Sequence, residues 1–210
     1  IVDSIGDRII KGAKVKLGRD GIEIGQELSE TEQKEKAEEE YKSTIKEPAE
    51  TAQPEQTITK TEFVPKYLSI ERRIFEVLLK ALYPRYKILS NRRIGLYEYD
   101  LIIDTLNNKD FDYIIEVKYY PNASFTKNSL QEIALKLSFM KQDYESTSGK
   151  SANPALIVVT NKDFDTETKA EIHKHVNEPF KDKNYIKLLM VKQDDIENLT
   201  RSKIVTFLEE

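Results

Sequence analysis

The sequence predicts an α/β protein: a mixed central β-sheet flanked by helices, preceded by an N-terminal extension. Three observations carry that reading. From Tyr67 onward, segments with helical apolar spacing alternate with short β-rich runs. The stretch Tyr97 to Tyr120 contains two such runs, joined by a polar turn through Leu106 to Asp110. Pro154 to Thr160, PALIVVT, is apolar nearly throughout, the pattern of a strand covered on both faces.

At 210 residues, 39% hydrophobic and 33% charged, the chain has room for one well-filled domain plus a tail. It has no Cys, which excludes disulfides, thiolate metal sites and cysteine nucleophiles and points to a reducing, cytoplasmic compartment. No apolar run has the length of a membrane span, and the first residues lack the makeup of a signal peptide. Because it starts at Ile1, the chain reads as a fragment, with an N-terminal domain or membrane segment expected ahead of it. Residues 1–66 hold 11 Lys and Arg against 15 Asp and Glu, and residues 67–210 hold 22 against 22. A nucleic-acid surface on such a chain has to come from local clustering of charge.

Residues 1–26 read as a small β-hairpin segment, with period-two stretches on either side of a Gly-Arg-Asp-Gly turn. Residues 27–65 are poor in large apolar side chains. Ser29 to Ile45 suits a solvated helix with Glu and Lys at i, i+4, and Glu47 to Gln56 suits a linker. Residues 66–210 form the expected domain. Its first helix runs from Pro65 to Leu82, with Ser69 as N-cap and a stripe of Ile74, Val77, Leu78 and Ala81. Tyr86 to Leu89 is a first strand, and Asn91-Arg92-Arg93 a turn whose arginines suit phosphate contact or plain solvation. Ser129 to Tyr144 is a helix bearing Gln131, Lys136 and Lys141 as polar residues within reach of a substrate. A Ser/Gly-rich loop over 145–153 leads to PALIVVT. Asp165 to Val176 is a helix, Tyr185 to Lys192 a strand, and Asp194 to Leu208 a closing helix.

The chemistry concentrates in YEYDLIID and FDYIIEVKYY. Alternation puts Tyr97, Tyr99, Leu101 and Ile103 on one face of the first run, and Glu98, Asp100 and Ile102 on the other. In the second run, Ile114, Glu116, Lys118 and Tyr120 share a face. Antiparallel pairing then sets Asp100 beside Glu116, with Lys118 one pleat away. Two carboxylates and an ammonium inside an apolar sheet are costly to bury unless a cation or substrate needs them. Oxygen ligands without Cys or His suit Mg2+ or Mn2+. The plain alternative is two amphipathic strands whose charges face solvent and form one cross-strand pair.

Asp100, fifteen intervening residues, then Glu116-Val117-Lys118 resembles the motif of the PD-(D/E)xK phosphodiesterase superfamily, the restriction-endonuclease-like fold. Tyr99 stands where the motif's Pro is written. The resemblance implies a Mg2+- or Mn2+-dependent nuclease acting on DNA, in some members as a homodimer. In it, Asp100, Glu116 and the Val117 carbonyl hold the metal and Lys118 activates water. The helix carboxylate is Glu71 or Glu76, with Glu76 favoured from Phe75-Glu76-Val77-Leu78-Leu79. Gln131, Lys136, Arg92 and Arg93 are candidate substrate contacts. The competing expectation is a catalytically inactive domain of the same fold, a binding or assembly module tethered to a missing N-terminal region.

Overall fold

A computed structural model describes residues 15–18, 21–45, 58–105, 111–123, 125–181 and 185–209. Strands β1 (Val15–Gly18) and β2 (Gly21–Ile24) pair antiparallel as the expected hairpin. Its Arg19-Asp20 turn, the earlier residues 1–14, the linker of residues 46–57 and the turn of residues 106–110 lie outside the described residues. Then come β3 (Gln26–Glu27), helix α1 (Glu30–Ile45), helix α2 (Lys60–Leu82), and strands β4 (Lys87–Ile94), β5 (Tyr97–Asp104) and β6 (Phe111–Tyr120). Helix α3 (Lys127–Ser148), β7 (Ser151–Thr160), helix α4 (Thr166–Asn177), β8 (Lys187–Lys192), a 3-10 turn (Gln193–Asn198) and helix α5 (Arg201–Glu209) complete the chain.

Six strands form one mixed sheet in the order β3-β4-β5-β6-β7-β8. Pairing is antiparallel from β3 to β6 and parallel from β6 to β8. Helices cover both faces. Phe63, Tyr67, Ile70, Ile74 and Leu78 of α2 pack with Ile204 and Phe207 of α5 on one side. Leu130, Ala134, Leu137 and Met140 of α3 pack with Ile172 and Val176 of α4 on the other. The protein is therefore α/β, and β6 and β7, covered on both faces, have apolar residues on both.

Several boundaries differ from those expected. Helix α2 begins at Lys60, where Glu62 closes a capping box by accepting from the Thr59 N–H (3.0 Å) and hydroxyl (2.8 Å). Pro65 lies inside the helix and omits one ladder bond. Asn91, Arg92 and Arg93 belong to β4, and the turn is Gly95-Leu96, with Gly95 at φ +59°. The expected loop after α3 is instead a further helical turn ended by Gly149 at φ +74°. The closing helix breaks in two at Leu199-Thr200.

The departure that matters most for the site is at Asp100. Alternation is broken there: Tyr99 packs against α3, as Ile102 does, while Leu101 and Ile103 pack against α2. Asn91, the residue that the β4–β5 register sets opposite Asp100, has φ +49°. The β5–β6 ladder runs from Ile103–Tyr113 to Leu101–Ile115. Beyond it, the Val117 N–H donates to the side chain of Asp100 (2.6 Å). The sheet is split between β5 and β6 at this level, and polar side chains fill the split.

Candidate functional site

Asp100 (1% exposed), Glu116 (0%) and Lys118 (5%) all lie in the split, together with two residues that the family motif does not name. Lys36 and Glu40 reach in from α1, one helical turn apart and either side of the buried Ala37. Glu71 reaches in from α2, because it stands four residues after Tyr67 and three before Ile74, within the buried stripe. Lys136 reaches Glu116 from α3 on the opposite face.

Carboxylates and ammoniums alternate. Lys36 Nζ pairs with Asp100 Oδ1, with Glu71 Oε1 (3.0 Å) and with Asn91 Oδ1 (3.5 Å). Lys118 Nζ bridges Glu40 Oε1 and Glu116 Oε1, the latter at 2.9 Å. Lys136 Nζ donates to the same Glu116 Oε1 at 2.6 Å. Glu116 Oε2 is buried without a hydrogen-bond partner. Four carboxylates thus face three ammoniums, so with every carboxyl ionised the cluster has one negative charge in excess. Tyr67 donates to the Val117 carbonyl at 3.1 Å, occupying one of its two lone pairs.

The electrostatics follow from burial and from this alternation. Burial, reinforced by the charge of Glu116, pushes the Asp100 carboxyl up to about 7 against the partial offset of Lys36. For Glu116, burial is outweighed by Lys118, Lys136 and Lys36, which hold it below the usual carboxylate range. Burial disfavours the charged forms of Lys36 and Lys118. Asp100 and Glu71 around Lys36, and Glu116 and Glu40 around Lys118, overcome that and keep both ammoniums protonated.

A cleft of about 420 Å³ opens onto the cluster between α1, α2 and β4, with Gln33, Glu71, Ser90, Asn91 and Asp100 in its wall. Glu76, the favoured helix carboxylate, is at the outer rim of this cleft, solvent-exposed and paired with Arg72 at 2.9 Å. Glu71 is the residue that brings a carboxylate to Asp100. Gln131 points elsewhere, donating to Glu178 at 2.9 Å near the end of α4. Arg93 is engaged by Glu32 (2.9 Å) and Glu98, and Arg92 stands 3.7 Å from Glu27. Of the four expected substrate contacts, Lys136 is the one bonded within the cluster.

The sequence carried a signal for Glu71 in its spacing within the stripe. It carried none for Lys36 and Glu40, since α1 is rich in Glu and Lys all round. Among the described residues, no three His, Asp or Glu side chains are grouped so as to hold a metal ion. No helix among the described residues is long and apolar enough to cross a membrane. No family model matches the chain, and no curated protein matches it.

Proposed function

We propose that the protein is a Mg2+- or Mn2+-dependent nuclease of the restriction-endonuclease-like fold, hydrolysing phosphodiester bonds of DNA at the Asp100–Glu116–Lys118 cluster. The supporting observation is that the β5–β6 ladder ends at Leu101–Ile115 and that two buried carboxylates and a lysine lie in the opening beyond it. The donor chemistry fits a hard divalent cation: the oxygens are carboxylate and carbonyl, Glu116 Oε2 lacks a partner, and the cluster has an excess negative charge.

Asp100 and Glu116 are the residues that would hold the metal, with the Val117 carbonyl beside them and Glu71 close behind. A bound divalent ion supplies Lewis acidity at a phosphate oxygen and lowers the pKa of a bound water. Lys118, held by Glu116, would orient the attacking water, and while its ammonium stays charged it takes no proton from that water. Lys136, half-exposed at the α3 side, is placed to meet a phosphate oxygen. The strand backbone fixes Asp100 through Val117, so its carboxylate is oriented before substrate arrives.

The test is calorimetric titration of Mg2+ and Mn2+ into the wild type and Asp100→Ala, followed by incubation with plasmid and single-stranded DNA. Binding and cleavage in the wild type, both lost in the variant, is the expected result. Wild-type cleavage rates in Asp100→Ala would refute the assignment. A second reading, an inactive binding or assembly module of the same fold, is favoured by one observation: Lys36 pairs with Asp100 and Glu71, the oxygens a metal would use. Absence of metal binding in the wild type would select it.

A further inference from the structure

Helix α1 is attached to the protein unlike its neighbours. Helix α2 buries eight side chains, seven of them apolar. Among the described residues of α1, Ala37 is the fully buried apolar side chain, with Tyr41 partly buried against the same core. The Tyr41 hydroxyl also donates to the Ile58 carbonyl at 3.4 Å, and its ring meets Phe63; the remaining attachments are ionic: Lys36 to Asp100 and Glu71, Glu40 to Lys118, Glu32 to Arg93 and Glu38 to Lys60. A helix with so little apolar contact draws its position from charge pairing, and each pair must offset the cost of desolvation.

Lys36 bears the chemical meaning of that attachment. Its ammonium meets three oxygens of different side chains, Asp100 Oδ1, Glu71 Oε1 and Asn91 Oδ1, a set that a hard cation also prefers. Asn91 reaches it from a strand position with φ +49°, in the left-handed region that Asn tolerates better than most residues. An ammonium brings one positive charge to these oxygens, and a divalent ion in its place would bring two.

We propose that Lys36 is a built-in counter-ion that competes with the divalent cation for Asp100 and Glu71, making helix α1 a strap that closes the site. The proposal rests on the metal-dependent reading above. Leu28 anchors the chain ahead of α1, and the hinge falls at Ser29. Residues 26 and 27 are fixed to β4, the Leu28 N–H donates to Asn91 O at 2.9 Å, and Leu28 is buried. At the other end, the 12 residues from 46 to 57 separate α1 from the capped start of α2. The segment that moves is α1 itself, residues 30–45. Lifting it also withdraws Glu40 from Lys118, leaving that ammonium to Glu116 and to water. The strap thereby couples metal entry to release of the lysine that the reaction needs.

The experiment uses the whole chain and Mn2+. Calorimetry compares the wild type with Lys36→Met, which keeps an unbranched side chain one atom shorter and removes its charge. Hydrogen exchange follows residues 30–45 and 60–82 of the wild type as Mn2+ is added. The expected results are at least ten-fold tighter Mn2+ binding by Lys36→Met, and faster exchange over 30–45 in the metal-saturated wild type with 60–82 unchanged. Mn2+ saturation of the wild type with 30–45 still protected overturns the strap and leaves the metal site standing. Failure of both proteins to bind Mn2+ removes the metal-dependent reading and the strap with it. The wild-type exchange decides the question even where the variant folds poorly.

Discussion

The Val117 N–H donates to Asp100 Oδ2 at 2.6 Å, so a side chain of β5 takes the place that a backbone carbonyl holds elsewhere in the ladder. That substitution makes the split a designed part of the sheet. One carboxylate oxygen satisfies the backbone of β6 while the other faces Lys36. Asp100 is therefore a structural and a chemical residue at once, and its replacements separate the two roles.

Asp100→Asn is expected to change the pH dependence of stability. The folded protein holds the Asp100 proton up to about pH 7, whereas the unfolded chain releases it near 3.8. Protonated Asp100 thus contributes stability that is fully present below about pH 4 and lost as pH rises through 7. Asn does not titrate, so relative to wild type it gains a few kcal/mol between pH 4 and 8, the sum of about 1.4 kcal/mol for each pKa unit. Urea unfolding of both proteins across that range is the measurement. A gap that stays flat would show that Asp100 titrates as an ordinary surface carboxylate.

Lys118→Met and Glu116→Gln should part company. Lys118→Met keeps both carboxylates, so Mn2+ binding persists while DNA cleavage falls by about 100-fold or more. Glu116→Gln removes the acceptor shared by Lys118 and Lys136 and loses metal binding as well. Each variant breaks a buried pair and is expected to cost about 3–5 kcal/mol in denaturant unfolding. Loss of metal binding in Lys118→Met, with the fold intact by circular dichroism, would count against its assigned role.

The two helix carboxylates offer a cleaner contrast. Glu71→Gln leaves Lys36 with one carboxylate fewer and should alter both Mn2+ affinity and cleavage. Glu76→Gln removes an exposed pair with Arg72 and should change stability by no more than about 0.5 kcal/mol and activity little. Equal effects of the two on cleavage would restore Glu76 to the site.

Gly95→Ala tests the turn that brings β4 back as β5. At φ +59° an added Cβ is strained, and it would also run into the Asp143 carboxylate that accepts the Leu96 N–H at 3.1 Å. A loss of about 1–3 kcal/mol is expected by thermal or urea unfolding, with metal binding retained.

Much of this architecture could be read from the chain because apolar periodicity reports which faces are buried. PALIVVT, the stripe of α3 and the alternation in FDYIIEVKYY each have the pattern of their eventual surroundings. The antiparallel pairing of the two runs was legible too, and Leu101 opposite Ile115 brings Asp100 and Glu116 to the same level of the sheet. Alternation failed at Tyr99 because it assumes an unbroken ladder, and the ladder breaks where a carboxylate replaces a backbone acceptor. The start of α2 was written in Thr59-x-x-Glu62, but Pro65 competed as a start signal. Lys36 and Glu40 were hidden for a different reason. On a helix rich in charge throughout, position alone decides which charges become buried, and position is set by the tertiary fold.

The order of residues along the chain also sets an order in time. Asp100 and Glu116 stand 16 positions apart, whereas Glu40 joins Lys118 across 78 positions and Lys36 joins Glu71 across 35. Short loops close first and long ones pay more chain entropy, so a refolding molecule is expected to assemble the carboxylate pair before α1 brings its lysine. During that interval the pair recruits protons or dissolved cations from the medium. Refolding monitored by a pH indicator in weak buffer should therefore show uptake of a proton ahead of the final ordering of residues 30–45.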